Sequence, residues 1–172
     1  EFSQQLAELA DIYVNDAFGA AHRAHASISG VATLLPSVPG FLLEKEVTML
    51  SKVMNGAENP RVAIVGGAKV ADKLSLLKNL LKNMDVLIIG GAMANTFLKA
   101  RGLNIGKSVF EESLLTKARE LMDIARQRNT RLLLPVDVVV ADHYAEDAEH
   151  RIVPVDQVPD GWMILDIGPE TV

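Results

Sequence analysis

The sequence contains two similar segments in which a short apolar run leads through two glycines and an alanine into a helix-forming stretch. They read IVGGAKVADK and IIGGAMANTF, and their glycine pairs are 24 residues apart. The apolar runs Val62–Val65 and Val86–Ile89 are unbroken, a pattern typical of parallel strands buried on both faces. Because parallel strands need a crossover, the repeat predicts a βαβ unit with its two glycine turns side by side at the carboxyl edge of the sheet, where ligands bind.

The same alternation of strand and helix patterns extends through the rest of the chain. Apolar residues at helical spacing predict helices over residues 41–54, 70–82, 93–100 and 113–128. Further strands are predicted over residues 12–14, 132–134, 138–140 and 163–167, and a polar surface excursion over residues 144–161. Asn55 and Gly56 are expected to end the first helix. The pattern predicts an α/β fold, a doubly wound parallel sheet with helices on both faces, preceded by the end of a second α/β lobe.

Composition excludes several classes of protein. Hydrophobic residues form 49% of the 172 residues, which is enough for a packed core. The net charge of -5 argues against a nucleic-acid-binding protein, and the absence of cysteine excludes disulfides and thiolate metal sites. No apolar run has the length of a membrane helix, and residues 1–11 do not resemble a secretory leader. We expect a soluble segment of a longer protein.

The first glycine turn is the strongest candidate for anion binding. Gly66 and Gly67 let backbone amides approach a phosphate, and the start of the following helix carries a positive partial charge. Lys69 and Lys73 are four residues apart and are predicted to project from one helix face toward the same anion. The phosphate-loop pattern and the G-x-G-x-x-G fingerprint are both absent. The alternative is that the glycines only allow tight packing and that the lysines are solvated.

The second glycine turn and a basic segment are further candidates. Gly90 and Gly91 have no basic residue nearby before Lys99, so this turn is predicted to admit a flat group or to serve packing. The segment HRAH contains His22, Arg23 and His25, three side chains that can bind an anion, although a solvent-exposed basic turn is the alternative. Metal binding by the two histidines is disfavoured because no third ligand is close in sequence.

Acidic residues near predicted strand ends are weaker candidates. Asp137, Asp142 and His143 flank one strand and are interpreted as a polar loop rather than a site. Asp166 is predicted to cap a helix that follows the last strand.

Several motifs, in order and spacing, together resemble the phosphoglycerate kinase family. They are DIYVNDAFGAAHRAHAS, VAIVGGAKVADKLSLL, LIIGGAMANTFLKARGLNIGKSVF, LLLPVDVVVAD and GWMILDIGP. The resemblance implies a two-lobed cytoplasmic enzyme of glycolysis, monomeric at full length, that transfers a phosphoryl group between 1,3-bisphosphoglycerate and ADP, giving 3-phosphoglycerate and ATP. It implies Mg²⁺ bound with ATP or ADP, held by a family aspartate outside this sequence, and neither nucleic-acid nor membrane partners.

The resemblance also assigns roles to particular residues. Arg23 would bind the phosphate of the three-carbon acid beside His22 and His25, and Lys69 and Lys73 would contact the nucleotide phosphates and the group in transfer. The remaining nucleotide contacts that it implies are Gly67, Ala68, Gly91, Val109 and Leu165. Ala92 and Ile164 stand where family members can have glycine, which puts backbone contact with the adenine in doubt there.

The resemblance divides the chain into three parts. Residues 1–39 would be the remnant of the N-terminal, acid-binding lobe, residues 40–56 an interdomain helix that transmits hinge closure, and residues 57–172 the first half of the nucleotide-binding lobe. The PSVPG cluster is consistent with a boundary. A fragment of this kind is expected to be inactive alone.

Two other functions remain open from the residues themselves. The glycine turns and the α/β alternation would also suit an NAD-dependent enzyme with a Rossmann-like sheet, although the glycine fingerprint is missing. A non-enzymatic anion-binding or scaffold domain would use Arg23, Lys69 and Lys73 for recognition only. A coupled assay with ATP and 3-phosphoglycerate distinguishes the three.

Overall fold

The computed structural model of the chain describes residues 1–55 and 58–172, without the side chains of residues 54 and 55. The chain divides into two compact units, Glu1–Ala57 and Glu58–Val172. None of the helices in the described ranges combines the length and the hydrophobicity that crossing a membrane requires.

The first unit contains two helices, a two-stranded parallel sheet and two short helical turns. Its elements are α1 (Phe2–Ala7), β1 (Tyr13–Asn15), a 3₁₀ turn (Phe18–Ala20), a π-helical turn (Ala26–Gly30), β2 (Ser37–Pro39) and α2 (Phe41–Asn55). Strand β2 lies within the PSVPG segment, which the sequence pattern predicted only as a breaker, and it pairs with β1. Asp16 Oδ1 accepts the Leu43 N–H at 3.0 Å, so the end of β1 is bonded to the start of α2. Gly56, predicted to end α2, lies outside the described residues.

The second unit begins with the predicted βαβ unit. Its first elements are β3 (Val62–Val65), a 3₁₀ turn (Ala71–Lys73), α3 (Leu74–Asn83), β4 (Val86–Ile89), α4 (Gly91–Ala100), a 3₁₀ turn (Glu112–Leu114), α5 (Leu115–Gln127) and β5 (Arg131–Leu133). Strands β3, β4 and β5 form a parallel sheet in that order. The α/β architecture and the parallel sheet with helices are therefore confirmed.

The core of this unit lies on one face of the parallel sheet. Val65, Leu87 and Ile89 point into it and pack with the fully buried faces of α3, α4 and α5. On the opposite face Val62 and Ile64 are 50% and 77% exposed. The prediction that the strands are covered on both faces is therefore wrong within this chain for β3.

A second sheet follows, and it is antiparallel. Strand β6 (Asp137–Ala141) lies between β7 (His150–Pro154) and β8 (Met163–Ile167). Strand β7 falls inside the segment predicted as a polar excursion, so that prediction is wrong there. Val138, Val140 and Val158 form a separate buried cluster under this sheet.

Candidate functional site

The two glycine turns are in direct contact. The Gly91 backbone has a φ of +64°, and a methyl group built on it would lie 2.8 Å from the Gly67 nitrogen and 3.0 Å from the Gly67 oxygen. The Met93 N–H donates to the Gly67 carbonyl at 2.8 Å, and the Gly90 N–H donates to the Val65 carbonyl at 2.9 Å. The predicted proximity of the turns is confirmed, and the fit requires glycine at residue 91.

Lys73 lies over the first turn, whereas Lys69 lies before the helical segment. A methyl group built on Gly67 would be 3.0 Å from the Lys73 Nζ, which places this ammonium group beside the turn backbone. Lys73 is the last residue of a 3₁₀ turn that begins at Ala71, so the prediction that both lysines occupy one face of an α-helix is wrong. Both side chains remain on the same turn-to-helix segment.

A carboxylate already occupies the start of this helical segment. Glu111 Oε2 accepts the N–H of Val70 and, at 3.2 Å, the N–H of Ala71. These two amides are therefore engaged within the protein, contrary to the expectation that the helix start is open to a phosphate. The recognition capacity of this turn lies in its lysines and in the backbone around Gly67.

A cleft of about 80 Å³ opens beside the second turn. Its lining residues are Gly91, Ala92, Ala94, Asn95, Pro135, Val138, Ile164, Leu165, Asp166 and Ile167. Two of the predicted adenine contacts, Gly91 and Leu165, are among them, whereas Val109 is not and is 69% exposed. Both departures from the family pattern, Ala92 and Ile164, lie in the cleft wall. The cleft is mainly apolar with few polar groups, as suits a flat organic ring.

Two buried polar residues on α4 hold the loop that precedes α5. Asn95 Nδ2 donates to the Val109 carbonyl at 3.1 Å, and Thr96 Oγ1 accepts the Glu111 N–H at 3.1 Å. Asn95 is 2% exposed and Thr96 is fully buried. Neither these two residues nor Glu111 were predicted from the sequence as parts of the site. Asn95 and Thr96 stand out as polar residues among mainly apolar ones in α4, and this pattern could have pointed to them. No local sequence pattern marks Glu111.

The basic segment of the first unit is exposed. His22, Arg23 and His25 all lie at the surface, after the 3₁₀ turn. The His25 carbonyl accepts the N–H groups of Ser29 and Gly30 and so begins the π-helical turn. The three side chains thus lie on one short loop that is held by backbone hydrogen bonds. This arrangement fits both alternatives, an anion-binding segment and a solvent-exposed basic turn.

Asp137 is a structural residue rather than part of a polar loop. It is 3% exposed; the Glu170 N–H donates to its Oδ2 at 3.0 Å, and the Thr171 hydroxyl lies 2.5 Å from its Oδ1. Burial raises the pKa of Asp137, but these hydrogen bonds together outweigh burial and lower the pKa below its ordinary value. Asp137, and not Asp166, caps the turn after β8. Asp142 and His143 form an exposed pair with 2.7 Å between Oδ1 and Nδ1.

Across residues 1–55 and 58–172, no three His, Cys, Asp or Glu side chains are placed together to hold a metal ion. The donor set of the described residues therefore does not fit a resident Mg²⁺.

Comparison with known proteins gives a consistent result. The phosphoglycerate kinase family model matches residues 1–172. The phosphoglycerate kinase of Moorella thermoacetica is 59% identical over 99% of this chain and 43% of its own length, and that of Pelotomaculum thermopropionicum is 57% identical over 100% and 44%. The solved phosphoglycerate kinase of Coxiella burnetii superposes with a TM-score of 0.87 at 47% identity, covering 98% of this chain and 44% of that one. The chain spans less than half the length of these relatives, and it belongs to the phosphoglycerate kinase family.

Proposed function

We propose that this chain is the central segment of an enzyme that transfers a phosphoryl group between 1,3-bisphosphoglycerate and ADP. The observation that carries the proposal is the contact of the two glycine turns, with the Lys73 ammonium over Gly67 and an apolar cleft beside Gly91. This arrangement offers positive charge for phosphates next to a slot for a base. Phosphoryl transfer depends mainly on such positioning and charge neutralisation. Neither the NAD-dependent nor the scaffold alternative matches the family to which the chain belongs.

Each candidate residue then has a distinct role. Lys69 and Lys73 bind the nucleotide phosphates and the transferred group, with Gly67 and Ala68 contacting them through the backbone. Gly91, Val109 and Leu165 contact the adenine. Arg23, with His22 and His25, binds the phosphate of the three-carbon acid, because a guanidinium group suits bidentate phosphate recognition.

Magnesium would accompany the nucleotide and neutralise charge on its phosphates, and residues 1–55 and 58–172 hold no cluster of three His, Cys, Asp or Glu side chains that could bind it by themselves. The partners we propose are 3-phosphoglycerate or 1,3-bisphosphoglycerate and ATP or ADP, in a cytoplasmic enzyme that is monomeric at full length.

The test uses a full-length chimeric protein, in which residues 1–172 replace the matching region of the Moorella thermoacetica relative. In a coupled assay with ATP and 3-phosphoglycerate, Lys73→Ala is expected to lower kcat by about 10²-fold, the usual effect of removing one transition-state donor. Arg23→Ala is expected to raise the KM for 3-phosphoglycerate by about 10- to 100-fold, because a charge-assisted hydrogen bond contributes about 1.5–3 kcal/mol to binding.

The matched control is Lys78→Ala, which removes an exposed positive charge from α3, the helix that directly follows the 3₁₀ turn bearing Lys73. It should change neither kcat nor KM by more than about twofold. An inactive full-length chain, or equal losses for Lys73→Ala and Lys78→Ala, would refute the proposed role of this turn.

A further inference from the structure

Glu111 is bonded to two separate parts of the candidate site. Its carboxylate accepts the N–H groups of Val70 and Ala71, which lie between Lys69 and Lys73 in the chain. Its own N–H donates to Thr96 on α4 at 3.1 Å. Glu111 therefore connects the lysine-bearing segment to α4 across 40 residues of sequence.

A second connection joins the same two parts. The Met93 N–H, at the start of α4, donates to the Gly67 carbonyl at 2.8 Å. The backbone is thus attached to α4 directly at Gly67 and through Glu111 at Val70. Only Ala68 and Lys69 lie between these two attachment points, so their backbone has little freedom to move.

The Glu111 contact to Val70 is shielded from water, whereas the contact to Ala71 is exposed. Val70 and Thr96 are both fully buried, and Glu111 itself is half-buried. The 3₁₀ turn Ala71–Lys73 has no side-chain cap from its own N-cap residue. Removing the carboxylate would leave the buried Val70 amide without its acceptor and the exposed Ala71 amide open to water, at a helix start where a negative charge is favourable.

We propose that Glu111 is a positioning residue for phosphoryl transfer, which fixes the segment between Gly67 and Ala71 so that Lys69 and Lys73 face the nucleotide phosphates. The inference rests on the proposed function of the two lysines. Glu111 contacts neither substrate in this role, and it acts by holding the backbone from which the lysines project.

The test compares Glu111→Ala and Glu111→Gln in the full-length chain. Glu111→Ala is expected to lower kcat by about 10- to 100-fold, the size of effect that a displacement near 1 Å produces. The KM for 3-phosphoglycerate should stay within about twofold, because the acid-binding residues are unaffected. Glu111→Gln keeps an oxygen acceptor and is expected to retain most of the activity.

A matched control removes hydrogen bonds from the opposite end of the same helix. The Thr130 hydroxyl is buried and lies 3.1 Å from the Met84 carbonyl and 3.3 Å from the Leu81 carbonyl, at the carboxyl end of α3. Thr130→Val should lower the melting temperature as Glu111→Ala does, yet leave kcat within about twofold. Equal loss of kcat in both variants would show a stability effect only and overturn the inference.

A readout that needs no turnover separates this inference from the proposed function. Hydrogen exchange at the amides of Val70 and Ala71 should accelerate at least tenfold in Glu111→Ala and much less in Glu111→Gln. Unchanged exchange would overturn the positioning role whatever the activity. A further outcome is that exchange accelerates in Glu111→Ala while the full-length chain without this substitution has no phosphotransferase activity. That combination would refute the proposed function and, with it, the catalytic purpose of the positioning.

Discussion

At residue 91 the backbone conformation and the packing both require glycine. The φ of +64° is in the left-handed region, and any Cβ would meet the Gly67 backbone at 2.8–3.0 Å. We expect Gly91→Ala to lower the free energy of unfolding by about 1–3 kcal/mol, since it combines backbone strain with separation of the two turns. Urea denaturation of the 172-residue chain, followed by the fluorescence of Trp162, its single tryptophan, measures this change.

The neighbouring glycine provides the control. Gly90 has a φ of -121°, and a methyl group built on it would have no neighbour within 4 Å. Gly90→Ala should therefore change the unfolding free energy by no more than about 0.5 kcal/mol. Similar losses in the two variants would show that the close contact between the turns is not the cause.

Residues at the site differ in how far the sequence could predict them. Lys73 and Gly91 belong to motifs whose local chemistry points to a function, and the structure places both at the contact between the turns. Glu111 could not be found in this way, because the amides that it binds are 40 and 41 residues away. The spacing of Lys69 and Lys73 suggested one helical face, but the helical segment begins only at Ala71.

Among the elements, the second sheet depends on a contact between β6 and the turn after β8. Asp137, the first residue of β6, accepts hydrogen bonds from Glu170 and Thr171, and the Gly168 N–H donates to the Asp137 carbonyl at 3.0 Å. Because the pKa of Asp137 is lower in the folded chain than in the unfolded chain, its ionised form stabilises the fold above the unfolded pKa of about 3.9. That contribution is lost as the pH falls through the folded pKa.

The pH dependence of stability can therefore be predicted. Asp137→Asn should be less stable than the unchanged chain at pH 7, and the difference in unfolding free energy should shrink as the pH falls below about 4. Urea denaturation at a series of pH values between 7 and 2.5 measures the difference. The exposed Asp156 supplies the control, since Asp156→Asn should have little effect at any pH. If the difference in unfolding free energy between Asp137→Asn and the unchanged chain stayed constant with pH, the role of the ionised carboxylate would be contradicted.

The elements that the sequence predicted are those with a strong local pattern. The apolar runs Val62–Val65 and Val86–Ile89 and the mainly apolar segment Met163–Ile167 are strands with the predicted bounds. Strand β7 has only one half-buried residue, Val153, among exposed ones, so its two-residue periodicity is weak and its pairing with β6 is a tertiary effect. Strand β2 has three exposed residues and ends in proline, so no apolar pattern predicts it. Its pairing with β1 is likewise a tertiary effect.

For the chain as a whole, the described residues leave one face of the parallel sheet uncovered. Ile64 on β3 is 77% exposed and Leu133 on β5 is 37% exposed, although unbroken apolar strands are usually covered on both faces. The relatives are more than twice as long as the region they share with this chain. The unbroken apolar pattern of these strands predicted cover on both faces, but which residues cover a sheet depends on tertiary contacts that a local pattern does not contain.

We expect the 172 residues alone to bind nucleotide weakly. The described residues contribute the turn with Lys69 and Lys73 and a cleft of about 80 Å³, but no cluster of three side chains that could hold a metal ion. Each missing charge-assisted contact costs about 1.5–3 kcal/mol of binding free energy, so the loss of two would weaken binding by more than 10²-fold. Calorimetry with MgADP should give a Kd of about 1 mM or weaker for this chain, and a much tighter value for the full-length chain. Circular dichroism must first show that the 172 residues are folded, so that weak binding is not the result of unfolding. Micromolar affinity of the folded 172-residue chain would mean that its two glycine turns form a complete nucleotide site.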